Sequence, residues 1–305
     1  MISKIFIITS GGILCYSKNL ITEVKNRNDP NEDIVSGFLT AFSNFSHEIK
    51  GGKIKSLNFR NFNYVYSYDK QYGCIFVIVI DIEDLEDEAR KLLEIMKKEF
   101  IKRYGHLLEN FSGNTSNFLE FNKFVEENIF IPPRVLLIGE IGVGKTTIMN
   151  LFPGDTILEL DEDLNEIIEK TIKLSTLKNL KQFILREIDI KELIDKSKLY
   201  RRLLNSIDVI CLVTNSAASN LSRTKKYLSR LKYIVNKVDF YIIANFQDVK
   251  DTAFEPEEIQ KSFNIKTYGF SAIQKDSKEK INLIFAEMLK NSLLDKIEKR
   301  KQHET

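Results

Sequence analysis

One stretch of the sequence, RVLLIGEIGVGKTTIMNLF, combines residue types that can hold a phosphate group. Its centre matches the pattern GxxxxGK[ST], between an apolar run that predicts a strand and a run that predicts a helix. Glycines let backbone N–H groups curl round a β-phosphate, and the start of the helix adds partial positive charge. The lysine reaches the β- and γ-oxygens, and the hydroxyl can bind Mg²⁺. We therefore predict a phosphate-binding loop formed by Gly139, Glu140, Ile141, Gly142, Val143, Gly144, Lys145, Thr146 and Thr147. A loop kept only for packing is the alternative, and it does not explain why both the lysine and the threonine are present.

The residues before this loop alternate between short strands and amphipathic helices. KIFIITS and GILCYSK predict two strands joined at Gly11-Gly12, a pair suited to a tight hairpin. NEDIVSGFLTAFSNFSHEI predicts a helix, then KIKSLNFR, FNYVYSYD and GCIFVIVID predict three strands, and EDEARKLLEIMKKEFIKRY predicts a second helix. The apolar residues at helical spacing in the first helix are Ile34, Val35, Phe38, Leu39, Phe42, Phe45 and Ile49. The predicted order is β-β-α-β-β-β-α.

The chain divides where the helical pattern SNFLEFNKFVEENIF meets two prolines, Pro132-Pro133, because proline stops a helix and favours an extended chain. We predict an α/β domain over residues 1–105, a helical connector over 106–132, a second α/β domain over 133–295 and a charged tail over 296–305.

Three later segments resemble the strands and guanine-recognition motifs of a small GTPase. DVICLVTNS, DFYIIANFQD and KTYGFSAI predict strands at the places expected in that family. ANFQD resembles the NKxD motif, with Asn245, Gln247 and Asp248, and SAI resembles the SAx motif, with Ser271, Ala272 and Ile273. The segment IIANFQDVKDTAFEPEEIQ is similar to the sequence typical of the Arf branch of small GTPases. The resemblance implies a Rossmann-like P-loop domain that binds GTP or GDP with Mg²⁺, in which the Asp248 carboxylate accepts from guanine N1 and N2.

The resemblance weakens in the segments that sense and hydrolyse the γ-phosphate. An ungapped alignment places the family's DxGGQ on Asp189 to Leu193, so the aspartate that holds Mg²⁺ through water is present as Asp189. Glu192 replaces the γ-phosphate-sensing glycine, and Leu193 replaces the glutamine that orients water. Thr171 in KTIKL is the best candidate for the family's Mg²⁺-binding switch threonine. We assign no catalytic residue, and hydrolysis by the family's usual mechanism is expected to be impaired.

Phe246 stands where the family has a lysine, and two interpretations stay open. Its ring can stack on guanine, or it can fill space over a weakened pocket.

The first domain, by its element order, hairpin opening and length, resembles the longin/roadblock family. That resemblance implies a partner-binding domain, often for GTPases or trafficking machinery. The helix SRTKKYLSRLKYIVNK in the second domain is basic, and either a solvated face or contact with an anionic membrane or partner accounts for this.

Composition excludes several other classes of protein. Lys+Arg 45 against Asp+Glu 43 leaves a net charge of +2, too small for a dedicated nucleic-acid binder. The apolar run at the start is broken at Thr9 to Gly12 and Leu14 precedes Cys15, which disfavours an export signal. We therefore expect a cytoplasmic location, with peripheral membrane contact as an option.

Three functions remain in competition at this stage. The first is an Arf-like GTPase switch with its own longin-like partner domain, in membrane-associated trafficking or signalling, with slow or partner-dependent hydrolysis. The second is a pseudo-GTPase scaffold, which Glu192 and Leu193 favour. The third is a P-loop phosphotransferase or ATPase, which Asn245 and Asp248 disfavour.

Overall fold

The computed structural model describes residues 2–20, 31–82, 84–109, 111–160, 166–174, 180–235 and 238–303. The chain forms two compact units, Met1–Ile131 and Pro132–Thr305, so the division coincides with the proline pair. Both units combine a β-sheet with helices, which places the chain in the α/β class. No helix in the described ranges is both long and apolar enough to cross a bilayer.

The first unit has the predicted order of strands and helices. Its elements are β1 Ile2–Ile8, β2 Leu14–Asn19, α1 Glu32–Glu48, β3 Ser56–Asn58, β4 Phe62–Tyr68, β5 Ile75–Asp81, α2 Glu86–Leu108, a 3-10 turn Thr115–Phe118 and α3 Phe121–Asn128. The strands form an antiparallel sheet in the order β2-β1-β5-β4-β3. Gly12 adopts φ 85° in the β1–β2 turn, which glycine tolerates without strain.

The structure does not set the predicted connector apart from the first unit. Phe118, Phe121, Val125 and Ile129 are buried in the same core as β1, β5 and α2, and Phe121 lies edge-on to Phe100 with ring centroids 5.0 Å apart. The pattern predicted one helix here, but the chain forms a 3-10 turn and a separate short helix. Burying these rings fixes the segment as part of the first unit.

Helix α1 is confirmed, but most of its large apolar residues do not lie on a buried face. Ser36, Leu39 and Thr40 are its buried residues. The Ser36 hydroxyl donates to the Gly12 carbonyl at 3.2 Å, and a side chain at Gly12 would lie 3.7 Å from Thr40. This close approach of the β1–β2 turn requires small side chains on the inner face, so most of the large ones point outward.

The second unit contains thirteen elements in its described residues. They are β6 Arg134–Gly139, α4 Lys145–Leu151, β7 Ile157–Leu160, β8 Glu166–Lys173, β9 Gln182–Asp189, α5 Ile190–Asp195, α6 Arg201–Ser206, β10 Val209–Thr214, α7 Ala218–Ile234, β11 Asp239–Ala244, α8 Pro256–Phe263, β12 Thr267–Gly269 and α9 Ser277–His303. The sheet order is β12-β11-β10-β6-β9-β8-β7. The pairs from β12 to β9 are parallel, and β8 and β7 extend the sheet as an antiparallel hairpin.

The register of the parallel strands brings their carboxyl ends to one edge. Gly139 lies opposite Asp189, Thr214 opposite Ala244, and Ala244 opposite Gly269. Apolar cores cover both faces of the sheet. The loops that follow these strands therefore meet at the edge where ligands bind in open α/β sheets.

One segment of the second unit has no predicted structure, and another differs from expectation. The acidic segment that follows α4 forms β7 and β8, and residues 161–165 between them lie outside the described ranges. The segment predicted as a charged tail continues α9 as far as His303, and Lys296 forms an ion pair with Asp208 at the start of β10.

Candidate nucleotide-binding site

The phosphate loop approaches neighbouring strands too closely for side chains at two of its glycines. A Cβ on Gly139 would lie 2.5 Å from the Val213 carbonyl oxygen, and one on Gly144 would lie 2.3 Å from the Asn245 amide nitrogen. Gly142 and Gly144 also adopt φ 84° and 95°, in the left-handed region that favours glycine. The glycine pattern is therefore required by the packing of this loop.

Lys145 folds back over the loop that carries it. Its ammonium donates to the carbonyls of Gly139 at 2.9 Å and Glu140 at 3.1 Å, and the residue is 7% exposed. Burial lowers the pKa of Lys145, while the carboxylates of Glu187 and Asp189 act in the opposite direction. The lysine is thus held inside the loop.

Thr146 is paired with a carboxylate that sequence reasoning missed. Its hydroxyl donates to Glu187 Oε1 at 2.7 Å. The other oxygen, Glu187 Oε2, is buried and has no hydrogen-bond partner among the described residues. Because side chains two apart on a strand share a face, Glu187 and Asp189 point the same way, and this alternation could have identified Glu187.

The carboxylate of Asp189, the predicted magnesium ligand, caps the following helix. It accepts from the backbone N–H groups of Lys191 at 2.9 Å and Glu192 at 3.1 Å. Such a cap satisfies two of the otherwise unpaired donors at the start of α5. Asp189 remains at the site, but one of its carboxylate oxygens accepts the two hydrogen bonds that cap α5.

The structure does not bring Thr171 to the phosphate loop. It is an exposed residue of β8 opposite Ile184, which in turn lies opposite Arg134 at the far end of β6. Arg134 and Gly139 are five residues apart, roughly 16 Å along a strand. The switch-threonine assignment fails because Thr171 belongs to an extended strand, whose other end, at Glu166 and Ile168, adjoins the site.

A cavity of about 290 Å³ opens between the phosphate loop and the ends of β8 and β9. Lys145, Thr146, Glu166, Glu187 and Asp189 line it. No group of three or more His, Cys, Asp and Glu side chains is arranged to hold a metal ion in the part of the chain that the structure describes. A hydroxyl beside an unpaired carboxylate oxygen nevertheless offers oxygen ligands of the kind that Mg²⁺ prefers, and Mg²⁺ takes most of its remaining ligands from phosphates and water.

Asn245, which belongs to the ANFQD motif, connects the phosphate loop to the SAI motif. Its amide donates to the Val143 carbonyl at 3.0 Å, and its amide oxygen accepts from the Ala272 N–H at 3.3 Å. The residue is 2% exposed. One buried side chain therefore fixes the loops after β6, β11 and β12 relative to one another.

The Asp248 carboxylate is exposed at this edge, and the Ser271 hydroxyl donates to its Oδ1 at 2.5 Å. Gln247 instead has a structural position, since its amide donates to Ser216 Oγ at 2.9 Å and the Phe254 carbonyl at 3.1 Å. Ile273 is 80% exposed. The structure thus gathers Asp248, Ser271 and Ala272 at the site and assigns Gln247 to holding their loop.

Phe246 lies between the phosphate loop and the sheet edge at which Asp248 is exposed. Its backbone is left-handed, with φ 65°, and its ring is 3.7 Å from the position of a Cβ on Gly144. A left-handed conformation is uncommon for an aromatic residue, and such positions concentrate at functional sites. The ring is half-buried and lies beside the loop.

The phosphate loop is also tied to helix α7. Glu140 accepts from Asn220 Nδ2 at 2.6 Å, Arg223 Nε at 2.7 Å and Arg223 Nη2 at 2.9 Å. The hydrogen bonds from Arg223 are the main reason why the pKa of Glu140 is below its ordinary value. One cation of the basic helix therefore neutralises a carboxylate within the phosphate loop, and we call this arrangement the Glu140 clamp.

Glu192 and Leu193, which align with the family's γ-phosphate-sensing segment, bind or pack against other residues of the second unit. Glu192 accepts from Lys196 at 2.9 Å and from the Tyr200 hydroxyl at 3.1 Å, and the Lys196 ammonium lowers the pKa of Glu192. Leu193 is fully buried in the core beneath α5. The Leu193 side chain points into the protein and does not line the cavity.

No protein-family model matches the sequence, and no curated protein is similar enough to it to count as a match.

Proposed function

We propose that the chain is a guanine-nucleotide-binding protein of the small-GTPase type, similar to the Arf branch, with slow or partner-dependent hydrolysis. The observation that carries this proposal is the position of Asn245, whose amide joins the phosphate loop to the Ala272 backbone. A loop that binds phosphate and an edge that binds the base have to be held at a fixed separation, and this side chain does so.

Recognition of the base rests on Asp248. A carboxylate accepts two hydrogen bonds from guanine N1 and N2, and adenine has no matching pair of donors. Ser271 fixes one carboxylate oxygen, so the side chain is pre-organised for this contact. The Phe246 ring beside the loop provides an apolar surface for a base, and we favour stacking on guanine over simple space filling.

The phosphate groups would be held by the glycine-loop N–H groups and by Lys145. Thr146 and Glu187, with Asp189 nearby, would hold Mg²⁺, which neutralises charge on the β- and γ-phosphates when it is bound. The buried and unpaired Glu187 Oε2 fits such a role, because an orphaned carboxylate oxygen gains from a cation.

The contacts of Glu192 and Leu193 support the proposal of slow turnover. Neither residue offers a group that aligns water, and the Glu192 carboxylate lies on the wall of the cavity where γ-phosphate charge would be repelled. The same contacts support a pseudo-GTPase scaffold as the second candidate. The two candidates differ in whether bound GTP is hydrolysed at all.

The first unit is proposed to be a longin/roadblock-like partner-binding domain, on its β-β-α-β-β-β-α order and its opening hairpin. On the same grounds we propose a role in membrane-associated trafficking or signalling, with a cytoplasmic location and peripheral contact with a membrane.

Replacement of Asp248 by Asn tests the proposed nucleotide. An amide at this position presents a donor to guanine and suits xanthine, so Asp248→Asn should lower affinity for GTP and GDP and raise it for xanthosine triphosphate. Asp251→Asn is the matched control, because Asp251 is an exposed carboxylate on the same loop. Calorimetry that finds equal affinity of the parent protein for ATP and GTP would refute guanine recognition.

A further inference from the structure

Helix α7 carries positive charge and no negative charge on its outer face. All of its charged side chains are basic and exposed, and they belong to Arg223, Lys225, Lys226, Arg230 and Lys232. Between Asp208 and Asp239 the sequence contains no acidic residue. The charge of this one helix exceeds the net charge of the whole chain, +2, so the remaining residues are net negative. Positive charge is therefore concentrated on this surface.

Only the two arginines of α7 are paired with carboxylates in the part of the chain that the structure describes. Arg223 belongs to the Glu140 clamp, and Arg230 lies 4.0 Å from a carboxylate oxygen of Asp195. The lysines form no ion pair with a described residue, and Lys225 donates to a serine hydroxyl of α8 at 3.3 Å, which is a neutral partner. The lysine charges therefore remain available to an anionic ligand.

The exposed side chains of α7 are arranged around a tyrosine. Lys226 and Tyr233 are seven residues apart, almost two turns, so both lie along the middle of the outer face. By the same periodicity the arginines lie to one side of this line, and Lys225 and Lys232 lie to the other. Tyr233 is 89% exposed, whereas the opposite side of the helix packs into an apolar core against the sheet. The ring is thus surrounded by cations and open to solvent.

We propose that this face of α7 rests on the anionic surface of a lipid bilayer, with its lysines among the headgroups. The proposal names the surface that makes the peripheral membrane contact proposed above, and it rests on that part of the proposed function. Lysines beside an anionic leaflet are attracted to it, and a tyrosine ring is stabilised at the level of the headgroups. Lysine is depleted at protein–protein interfaces, so uncompensated lysines favour a bilayer over an acidic protein.

The attachment is electrostatic, because the apolar side chains of α7 already pack in the core of the second unit. Leu228 and Leu231 are buried there, so the helix cannot place an apolar side in the bilayer as an interfacial amphipathic helix does. Each lysine near an anionic surface strengthens binding roughly fivefold, and the attraction ends within a screening length. Lipid charge and salt should therefore both control binding.

Cosedimentation of the full chain with lipid vesicles tests the ligand. The parent protein should bind phosphatidylcholine vesicles that contain phosphatidylserine and should bind phosphatidylcholine alone poorly. Raising NaCl from about 0.1 M to about 1 M shortens the screening length from about 10 Å to about 3 Å and should release the protein. A parent that binds neither vesicle, or both equally well, would overturn the proposal and leave an acidic protein as the ligand to be sought.

Charge reversal tests the surface. Lys226→Glu combined with Lys232→Glu should weaken binding to phosphatidylserine vesicles at least about tenfold. Lys280→Glu combined with Lys290→Glu is the matched control, because both lysines are exposed on α9, which packs against the opposite face of the sheet. The same change of net charge is screened there, so the control should bind within about twofold of the parent. Equal losses in the two pairs would overturn the assignment of α7.

Tyr233→Ser tests the ring at the middle of the face. It should weaken binding to phosphatidylserine vesicles severalfold and leave the salt dependence unchanged, because the cations remain. Binding equal to that of the parent would contradict the placement of this ring among the headgroups.

GTP binding by the same proteins separates this proposal from the proposed nucleotide site. Arg223 is left unchanged because it belongs to the Glu140 clamp, so the α7 variants should retain GTP. If the charge-reversed pair loses GTP as well as vesicles, the milder pair Lys226→Gln and Lys232→Gln decides in its place. A parent that binds phosphatidylserine vesicles through α7 but no GTP would refute the nucleotide proposal alone.

Discussion

The two sides of the candidate site use their polar side chains for different purposes. On one side lie the phosphate loop and the sheet edge that carries Asp248, where Asn245 and Ser271 hold groups that would contact a nucleotide. On the side of α5, Asp189 caps a helix and Glu192 pairs with Lys196 and Tyr200. In the proposed function, the groups on the first side are arranged to hold a nucleotide, whereas those on the second side bond to one another. Holding a nucleotide and hydrolysing it would then have separate structural requirements, and we propose that this chain meets the first set.

The largest effect is expected from Lys145→Ala, which removes the only cation within the phosphate loop. Loss of this charge should lower GTP affinity roughly a hundredfold, about 3 kcal/mol, because charge-assisted contacts to phosphate are strong. Equilibrium binding of a fluorescent GTP analogue measures it. Lys191→Ala, an exposed lysine on the α5 side, should leave affinity close to that of the parent. Unchanged binding by Lys145→Ala would show that the glycine loop serves packing alone.

How far the sequence predicts this site depends on the separation of the interacting residues. The phosphate loop is a local pattern, since Gly139 to Thr146 are contiguous and their spacing fixes their geometry. The strands that precede Asn245 and Ser271 were also predictable from apolar runs followed by polar residues. The Glu140 clamp was not predictable, because Arg223 is 83 residues away from Glu140. In the sequence, Arg223 is indistinguishable from the other cations of a basic helix.

The direction in which side chains point was the other feature that the sequence did not predict. Helical spacing predicted α1, but spacing does not say which face meets the sheet, and the close β1–β2 turn selected Ser36 and Thr40. The alignment assigned Leu193 a place in the site, whereas the short helix α5 buries it. Thr171 looked suitable by motif, and its strand carries it away from the loop.

A smaller effect is expected from Arg223→Ala, which leaves the Glu140 carboxylate in the phosphate loop without its cation. An uncompensated anion repels phosphate, so GTP affinity should fall severalfold. The double variant Glu140→Gln, Arg223→Ala removes the repelling charge and should recover most of the loss. If the double variant binds as weakly as the single one, the clamp acts by shaping the loop rather than by neutralising charge.

The smallest effect concerns the pH dependence of the same clamp in the nucleotide-free protein. The pKa of Glu140 is lowered from 4.5 in the folded state, so the folded state favours the charged carboxylate. The resulting stability is present in full above pH 4.5 and is lost as the pH falls through the lowered pKa. The difference in urea midpoint between the parent and Arg223→Ala should therefore be present at pH 7 and shrink progressively in acid below pH 4.5. A difference that grows in acid would contradict this sign.

Single-turnover hydrolysis of pre-bound GTP compares the two sides of the site in one measurement. Protein loaded with γ-labelled GTP in the presence of Mg²⁺ is filtered to record the bound nucleotide and then followed for phosphate release. We predict close to one GTP per chain and a rate no faster than that of an unstimulated small GTPase, on the order of 10⁻⁴ per second. Failure to retain GTP would contradict the proposed nucleotide-holding side, and release orders of magnitude faster would show that a group other than Glu192 or Leu193 aligns the water.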